Sequence, residues 1–195
     1  MDVVSRASVV IKQNGTPTIT HPLDGRYGAM DPRELAAAVR KLADAMDLKE
    51  VDYVLGFPEG GSVPAFAFAH LVGRPLILST RLEFTLAGAA PIAFREPHSS
   101  VGRSHYIHGL ARGDRVVIVE DEVTSGGTLV SVARALRAAG VQISQVGALL
   151  VVDDPRTWRA VEDEKLILHA VHRLPAGFSR RSDVPPSEPA SDTAR

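Results

Sequence analysis

Two acids, Glu120 and Asp121, stand just ahead of a run of small hydroxyl and glycine residues, Thr124, Ser125, Gly126, Gly127 and Thr128. These residue types at this spacing suit phosphate and sugar chemistry. A glycine-rich turn lets backbone N–H groups converge on one oxyanion, and a helix that starts there adds its positive end. The hydroxyls of Thr124, Ser125 and Thr128 add donors, while the carboxylates can hold ribose hydroxyls or a magnesium-bound water. The run lacks the Gly-Lys-Ser/Thr ending of a P-loop and the G-x-G-x-x-G of a dinucleotide site. A plain strand-to-helix connection, with Thr128 as N-cap, is the bland alternative.

The flanks say what must hold these groups. Val116, Val117, Ile118 and Val119 form a β-branched run that suits a strand buried on both faces. Leu129, Val132, Ala133, Leu136 and Arg137 recur at helical spacing, and Gly140 is the residue type that ends helices. A second unit of the same kind lies upstream: a strand over 51–56, a turn of Phe57, Pro58, Glu59, Gly60, Gly61 and Ser62, then the apolar helix VPAFAFAHLV. Two strand–turn–helix units imply an α/β chain with a Rossmann-like parallel sheet flanked by helices, its ligands gathered beyond the strand C-termini. Further strands are expected over 75–80, 91–94, 143–152 and 166–172, with a short helix through Trp158. Asp153 and Asp154 end a strand and could line a pocket, although an Asp-Asp-Pro turn explains them without one.

Near the N-terminus, β-prone runs over 8–12 and 16–21 surround Asn14-Gly15, a hairpin signal. Asp31, Pro32 and Glu34 then read as N-cap, first-turn proline and capping-box acid of a helix running through Leu35, Val39, Leu42 and Met46. The chain has 195 residues, 45% of them hydrophobic, enough for the core of one domain over 1–174. From residue 175 on, prolines, serines and charges make a tail too poor in apolar residues to pack. Lys+Arg 22 against Asp+Glu 23 leaves no charge to draw nucleic acid or a membrane surface. Without cysteine there is no thiolate nucleophile, and the cytoplasm is the expected compartment.

The strand, acidic pair, two intervening residues and Thr-Ser-Gly-Gly-Thr together resemble the signature of the type I phosphoribosyltransferases. The resemblance implies that residues 124–128 cradle the 5′-phosphate of phosphoribosyl pyrophosphate and that Glu120 and Asp121 hold its ribose. It implies Mg2+ near Asp121 and Glu120, held largely through the substrate and water, and a homodimer. It implies a small hood, placed at the hairpin 8–21, and a flexible lid, placed at 82–105. The turn with Glu59, Gly60 and Gly61 matches the family's pyrophosphate-binding loop in position, but many relatives carry Lys or Arg there. Backbone N–H groups can still bind the diphosphate. The lid stretch holds no lysine, so Arg81, Arg95 and Arg103 become the candidate cations, with His98 and His105 behind them. Arg81 and Arg95 are assigned to catalysis and Arg103 to substrate binding.

The acceptor implied is a heteroaromatic base. Relatives acting on 6-oxopurines typically have an aspartate where Thr124 stands, which favours an adenine- or orotate-type acceptor. The alternative is a regulator that keeps the fold to sense phosphoribosyl pyrophosphate without turning it over. Asp121 is expected at a solvent-facing strand end.

Overall fold

The computed structural model of the chain describes residues 3–11, 17–26, 28–86, 90–97 and 103–178. After a short 3-10 turn at Val4–Arg6 come β1 (Ser8–Ile11) and β2 (Pro17–Thr20), an antiparallel pair in which Val9 faces Ile19. Asn14 and Gly15 lie outside the described residues. Helix α1 (Pro32–Asp44) opens as the sequence indicates: the Asp31 carboxylate accepts from the Arg33 N–H at 2.8 Å, and Pro32 occupies the first turn. Glu34 does not close a capping box. Its carboxylate takes the Arg6 guanidinium at 2.7 Å instead, tying the N-terminal turn to α1.

The core of the domain is a five-stranded sheet. It comprises β3 (Tyr53–Gly56), β4 (Leu76–Leu78), β7 (Arg115–Val123), β8 (Gln142–Asp153) and β9 (Leu168–Pro175). Its order is β4-β3-β7-β8-β9, and every pairing is parallel. Side chains alternate across it as the pleat demands. Val54, Val117 and Val119 meet α1 and α2 (Ser62–Val72) on one face. Leu55, Val116 and Ile118 meet α3 (Gly127–Ala138) and α4 (Pro155–Asp163) on the other. This is the parallel sheet flanked by helices that the two strand–turn–helix units imply.

Two strand readings differ from the structure. The run at 91–94 appears as β5 (Ile92–Arg95), which pairs antiparallel with β6 (Ser104–Ile107) outside the main sheet. The sequence reading contains no strand at 104–107, although Ser-His-Tyr-Ile alternates in burial as a half-buried strand should. The expected lid, 82–105, is therefore described in part as a stem docked on the domain: Phe94, His105 and Ile107 are buried. Residues 98–102, and His98 with them, lie outside the described residues. So do 179–195, while Phe178 packs against the core beside β9.

Candidate functional site

The geometry of the site follows from one register. In the chain the sheet grows from β3 outward to β4, then returns to place β7 on the other side of β3, so the crevice between β3 and β7 is a topological switch point. Gly56 pairs with Val119, which sets the turn after β3 directly opposite the acids that follow Val119. Contact is close. A Cβ at Gly61 would come to 2.5 Å from Glu120 Oε2, and a Cβ at Gly60 would collide with Asp121 Oδ2. Glycine at both positions lets the turn close on the acids, and at Gly61 the Phe57 carbonyl, 2.8 Å from such a Cβ, bars a side chain as well. Glu59, the side chain the turn does carry, accepts from Arg81 Nη1 at 2.9 Å. Arg81 is thereby brought to the glycine turn, three residues beyond Leu78, the end of β4.

Strand β7 runs to Val123, so Glu120 and Asp121 are strand residues, and both are buried. This corrects the expectation of a solvent-facing end: β7 is central, and β8 pairs with it as far as Val123↔Val151. Burial is the main cause that pushes the Glu120 carboxyl well above the usual carboxylate range, and the neighbouring Asp121 charge adds to it. Burial also raises Asp121, to about 6, while the Arg26 guanidinium pulls it back.

The phosphate-type turn is built as its residues suggest. Gly126 adopts φ +74°, left-handed, and caps α3, so the first turn holds Thr128 and the N-cap is Gly126. A Cβ at Gly126 would press to 3.2 Å from Ala160 Cβ on α4. The buried Thr157 hydroxyl donates to the Thr124 carbonyl, and the Gly127 N–H donates to Ser125 Oγ at 3.4 Å. A cavity of about 70 Å³ is lined by Glu120, Thr124, Ser125, Gly126, Gly127 and Thr128. A larger one, about 410 Å³, opens at the other end of the sheet beside Arg115 and Gln142, the first residues of β7 and β8, away from all of these groups.

Of the other candidates, Arg95 and Arg103 are exposed on the β5–β6 stem, Arg103 with its charge near Glu96. His105 is no surface cation. It is fully buried, stacked on Phe94 at 4.9 Å, and bonded to Ser79 at 3.1 Å and Glu96 at 2.8 Å. Asp153 accepts from Trp158 Nε1 and pairs with Arg173, while Asp154 is the N-cap of α4.

The sequence reading missed a cluster on the segment after β2. Asp24 grips Arg26 at two points, and Arg26 Nη2 reaches Asp121 Oδ2 at 2.8 Å. His21 lies beside them, buried, with neither ring nitrogen hydrogen-bonded, and burial lowers its pKa to about 4. Ligand atoms of His21, Asp24 and Asp121 lie within 4.8 Å of one another. Asp121 and Glu120 offer hard carboxylate oxygens beside the glycine turn, and Glu120 also lines the cavity at the phosphate-type turn; oxygens of this kind fit magnesium.

The model of the phosphoribosyl transferase domain matches residues 30–172. A hypoxanthine/guanine phosphoribosyltransferase of Methanosarcina barkeri is 32% identical over 139 residues, 71% of this chain and 72% of that one. Its counterpart in Methanosarcina acetivorans is 34% identical over 145 residues, with 71% and 72% covered. Among solved structures, an adenine phosphoribosyltransferase of Thermoanaerobacter pseudethanolicus superposes with TM-score 0.70 at 14% identity, covering 88% of this chain and 98% of that one. The adenine phosphoribosyltransferase of Giardia lamblia, solved with 9-deazaadenine, gives TM-score 0.70 at 16% identity over 87% and 94%.

Proposed function

The chain belongs to the phosphoribosyl transferase family, and on that premise we propose that it moves the 5-phosphoribosyl group from phosphoribosyl pyrophosphate to a purine base and releases pyrophosphate. The observation that carries this reading is the Gly56↔Val119 register, which sets two glycine turns and two acids around one crevice. Residues 124–128 hold the 5′-phosphate with backbone N–H groups, the N-terminal end of α3 and hydroxyls. Asp121 accepts from the ribose hydroxyls, and Glu120 backs the glycine turn beneath the diphosphate. Protein acid–base chemistry is slight in such a transfer. The chain's work is to align acceptor and ribose carbon and to stabilise charge on the departing diphosphate, with Arg81 and Arg95 as its candidate cations. Asp121 and Glu120 would hold Mg2+ through substrate and water; when bound it neutralises charge on the leaving diphosphate.

Two sets of relatives support a purine acceptor: those named for hypoxanthine/guanine and those named for adenine. Thr124, where an aspartate would serve a 6-oxopurine, weighs for adenine, and the names of the sequence relatives weigh for a 6-oxopurine. Incubation with phosphoribosyl pyrophosphate, Mg2+ and a panel of adenine, hypoxanthine, guanine and orotate is the test, with pyrophosphate release as the readout. One purine should give nucleotide well above the others. Tight substrate binding with no release for any base would replace the transferase with a sensor of phosphoribosyl pyrophosphate.

The same reading assigns a homodimer working in the cytoplasm. Its support is α2, apolar on both sides: Pro64, Ala65, Phe68 and Ala69 are buried in the domain, while Val63, Phe66 and Leu71 are exposed. No helix among the described residues is long and apolar enough to cross a membrane.

A further inference from the structure

The glycine turn after β3 has no cation of its own, yet a diphosphate carries several negative charges. Its geometry explains the lack. Gly60 and Gly61 lie so near Asp121 and Glu120 that a side chain at either position would collide with those acids. Glu59, which does project, takes Arg81. A cation can therefore reach the inner face of this turn only from another part of the chain.

Arg26 is in that position. Its Nη2 would lie 2.6 Å from a Cβ at Gly60, so the guanidinium fills the space where a residue-60 side chain would begin. Asp24, itself buried, fixes the guanidinium plane through contacts to Nε and Nη2. The same Nη2 edge meets Asp121 at 2.8 Å. Arg26 thus stands between the acid that would hold the ribose and the turn that would hold the diphosphate, the two groups joined by the bond that breaks.

We propose that Arg26 is a further diphosphate-binding cation of this site beside Arg81 and Arg95, supplied by the segment after β2 to the inner face of the glycine turn, which carries no Lys or Arg. This rests on the phosphoribosyltransferase reading. In the free protein Arg26 neutralises Asp121, keeping two buried carboxylates, Asp24 and Asp121, tolerable beside one another. When ribose hydroxyls occupy Asp121, the Nη2 edge turns its donor to a diphosphate oxygen while Asp24 keeps its grip. The interaction strengthens as the carbon–oxygen bond breaks, because negative charge grows on the leaving oxygen. Asp24 is a positioning residue: it acts through Arg26.

The test uses the full chain with Mg2+ and compares wild type, Arg26→Ala, Arg26→Lys and Asp24→Asn. Affinity for inorganic pyrophosphate is read by calorimetry, and single-turnover rates are read with the acceptor found in the base panel. Arg26→Ala should weaken pyrophosphate binding and slow chemistry by about 10²-fold, the scale of one lost charge-assisted contact. Arg26→Lys should recover part of both, added guanidinium should rescue Arg26→Ala, and Asp24→Asn should lose less than Arg26→Ala. KM for the purine should hardly move. If Arg26→Lys, folded, binds pyrophosphate no better than Arg26→Ala and guanidinium rescues neither, the role is structural and the proposal falls. If Arg26→Ala binds pyrophosphate as wild type does, it falls too. If wild type transfers to no base, the transferase reading fails by itself, and pyrophosphate affinity still decides Arg26.

Discussion

At the residue scale the acids divide their labour by environment. Glu120 and Asp121 are neighbours on a strand, so their side chains point to opposite faces, one at Gly61 and one at Gly60 and Arg26. Asp121→Asn should cost at least about 10²-fold in turnover, since an amide cannot replace a charged acceptor toward ribose hydroxyls. Its effect on stability has the opposite sign. The folded pKa of Asp121, about 6, lies above the ordinary value of 3.8, so the native state binds the extra proton between them. Stability owed to this group therefore falls as pH rises from about 4 to about 6 and stays low above that. Thermal melts should show Asp121→Asn matching or exceeding wild type at pH 7.5, with the advantage gone at pH 4. A variant less stable at pH 7.5 than at pH 4, relative to wild type, would reverse this assignment. Arg81→Ala and Arg95→Ala should also part company in single-turnover assays. Arg81 touches the glycine turn through Glu59, so its loss should slow chemistry more than that of the exposed Arg95.

At the element scale, two supports hold the crevice: α4 beneath the phosphate turn and the β5–β6 stem beside the acids. Thr157 on α4 donates to the Thr124 carbonyl, and Ala160 Cβ would stand a tight 3.2 Å from a Cβ at 126. Gly126→Ala combines a left-handed backbone with a tight contact, and should destabilise by ~1–2 kcal/mol while weakening phosphate binding more than overall folding suggests. Thr157→Val leaves a carbonyl without its donor and should cost about 1 kcal/mol. The stem is clipped on by Ser79, His105 and Glu96, with Phe94 between His105 and Phe57. The His105 hydrogen bond is the main cause that lowers the Glu96 pKa. A carboxylate with a depressed folded pKa contributes stability above its unfolded value of about 4.5, lost as pH falls through the folded value. Hydrogen exchange of the stem amides should quicken below that point in wild type, and Glu96→Gln should abolish the pH dependence. Unchanged exchange across that range would show that apolar packing alone holds the stem.

At the scale of the whole molecule, a parallel sheet covered on both faces leaves β4 as one edge and α2 half uncovered. Sedimentation should show the proposed dimer, and Phe66→Glu, on the exposed side of α2, should shift it toward monomer without lowering the helix content. A wild-type monomer at micromolar concentration would end that assignment. The N-terminal hairpin matters at this scale as well. It packs Val9 and Ile19 against α1 and delivers His21, Asp24 and Arg26 to the crevice, so truncation before residue 22 should impair pyrophosphate binding as well as stability.

Local chemistry alone determined much of this protein. The β-branched runs before 57 and 120, the glycines of both turns and the periodic helices after them all act through neighbours in the chain. They specify strand–turn–helix units, a parallel sheet and a phosphate-type turn whatever lies elsewhere. The caps at Asp31 and Gly126 belong to the same short range, although Glu34 found a partner outside its helix. Tertiary structure decided the rest. β7 is central because strands distant in sequence flank it, and that position turned Asp121 from an exposed strand end into a buried, proton-favouring carboxylate. His105 became a core residue because Ser79 and Phe94 surround it. Arg26 carries no motif: it sits 95 positions from Asp121, and only the closing of the hairpin segment over the β3–β7 crevice sets one against the other. Ion pairs across such separations depend on where whole elements pack, which neither residue's neighbours encode.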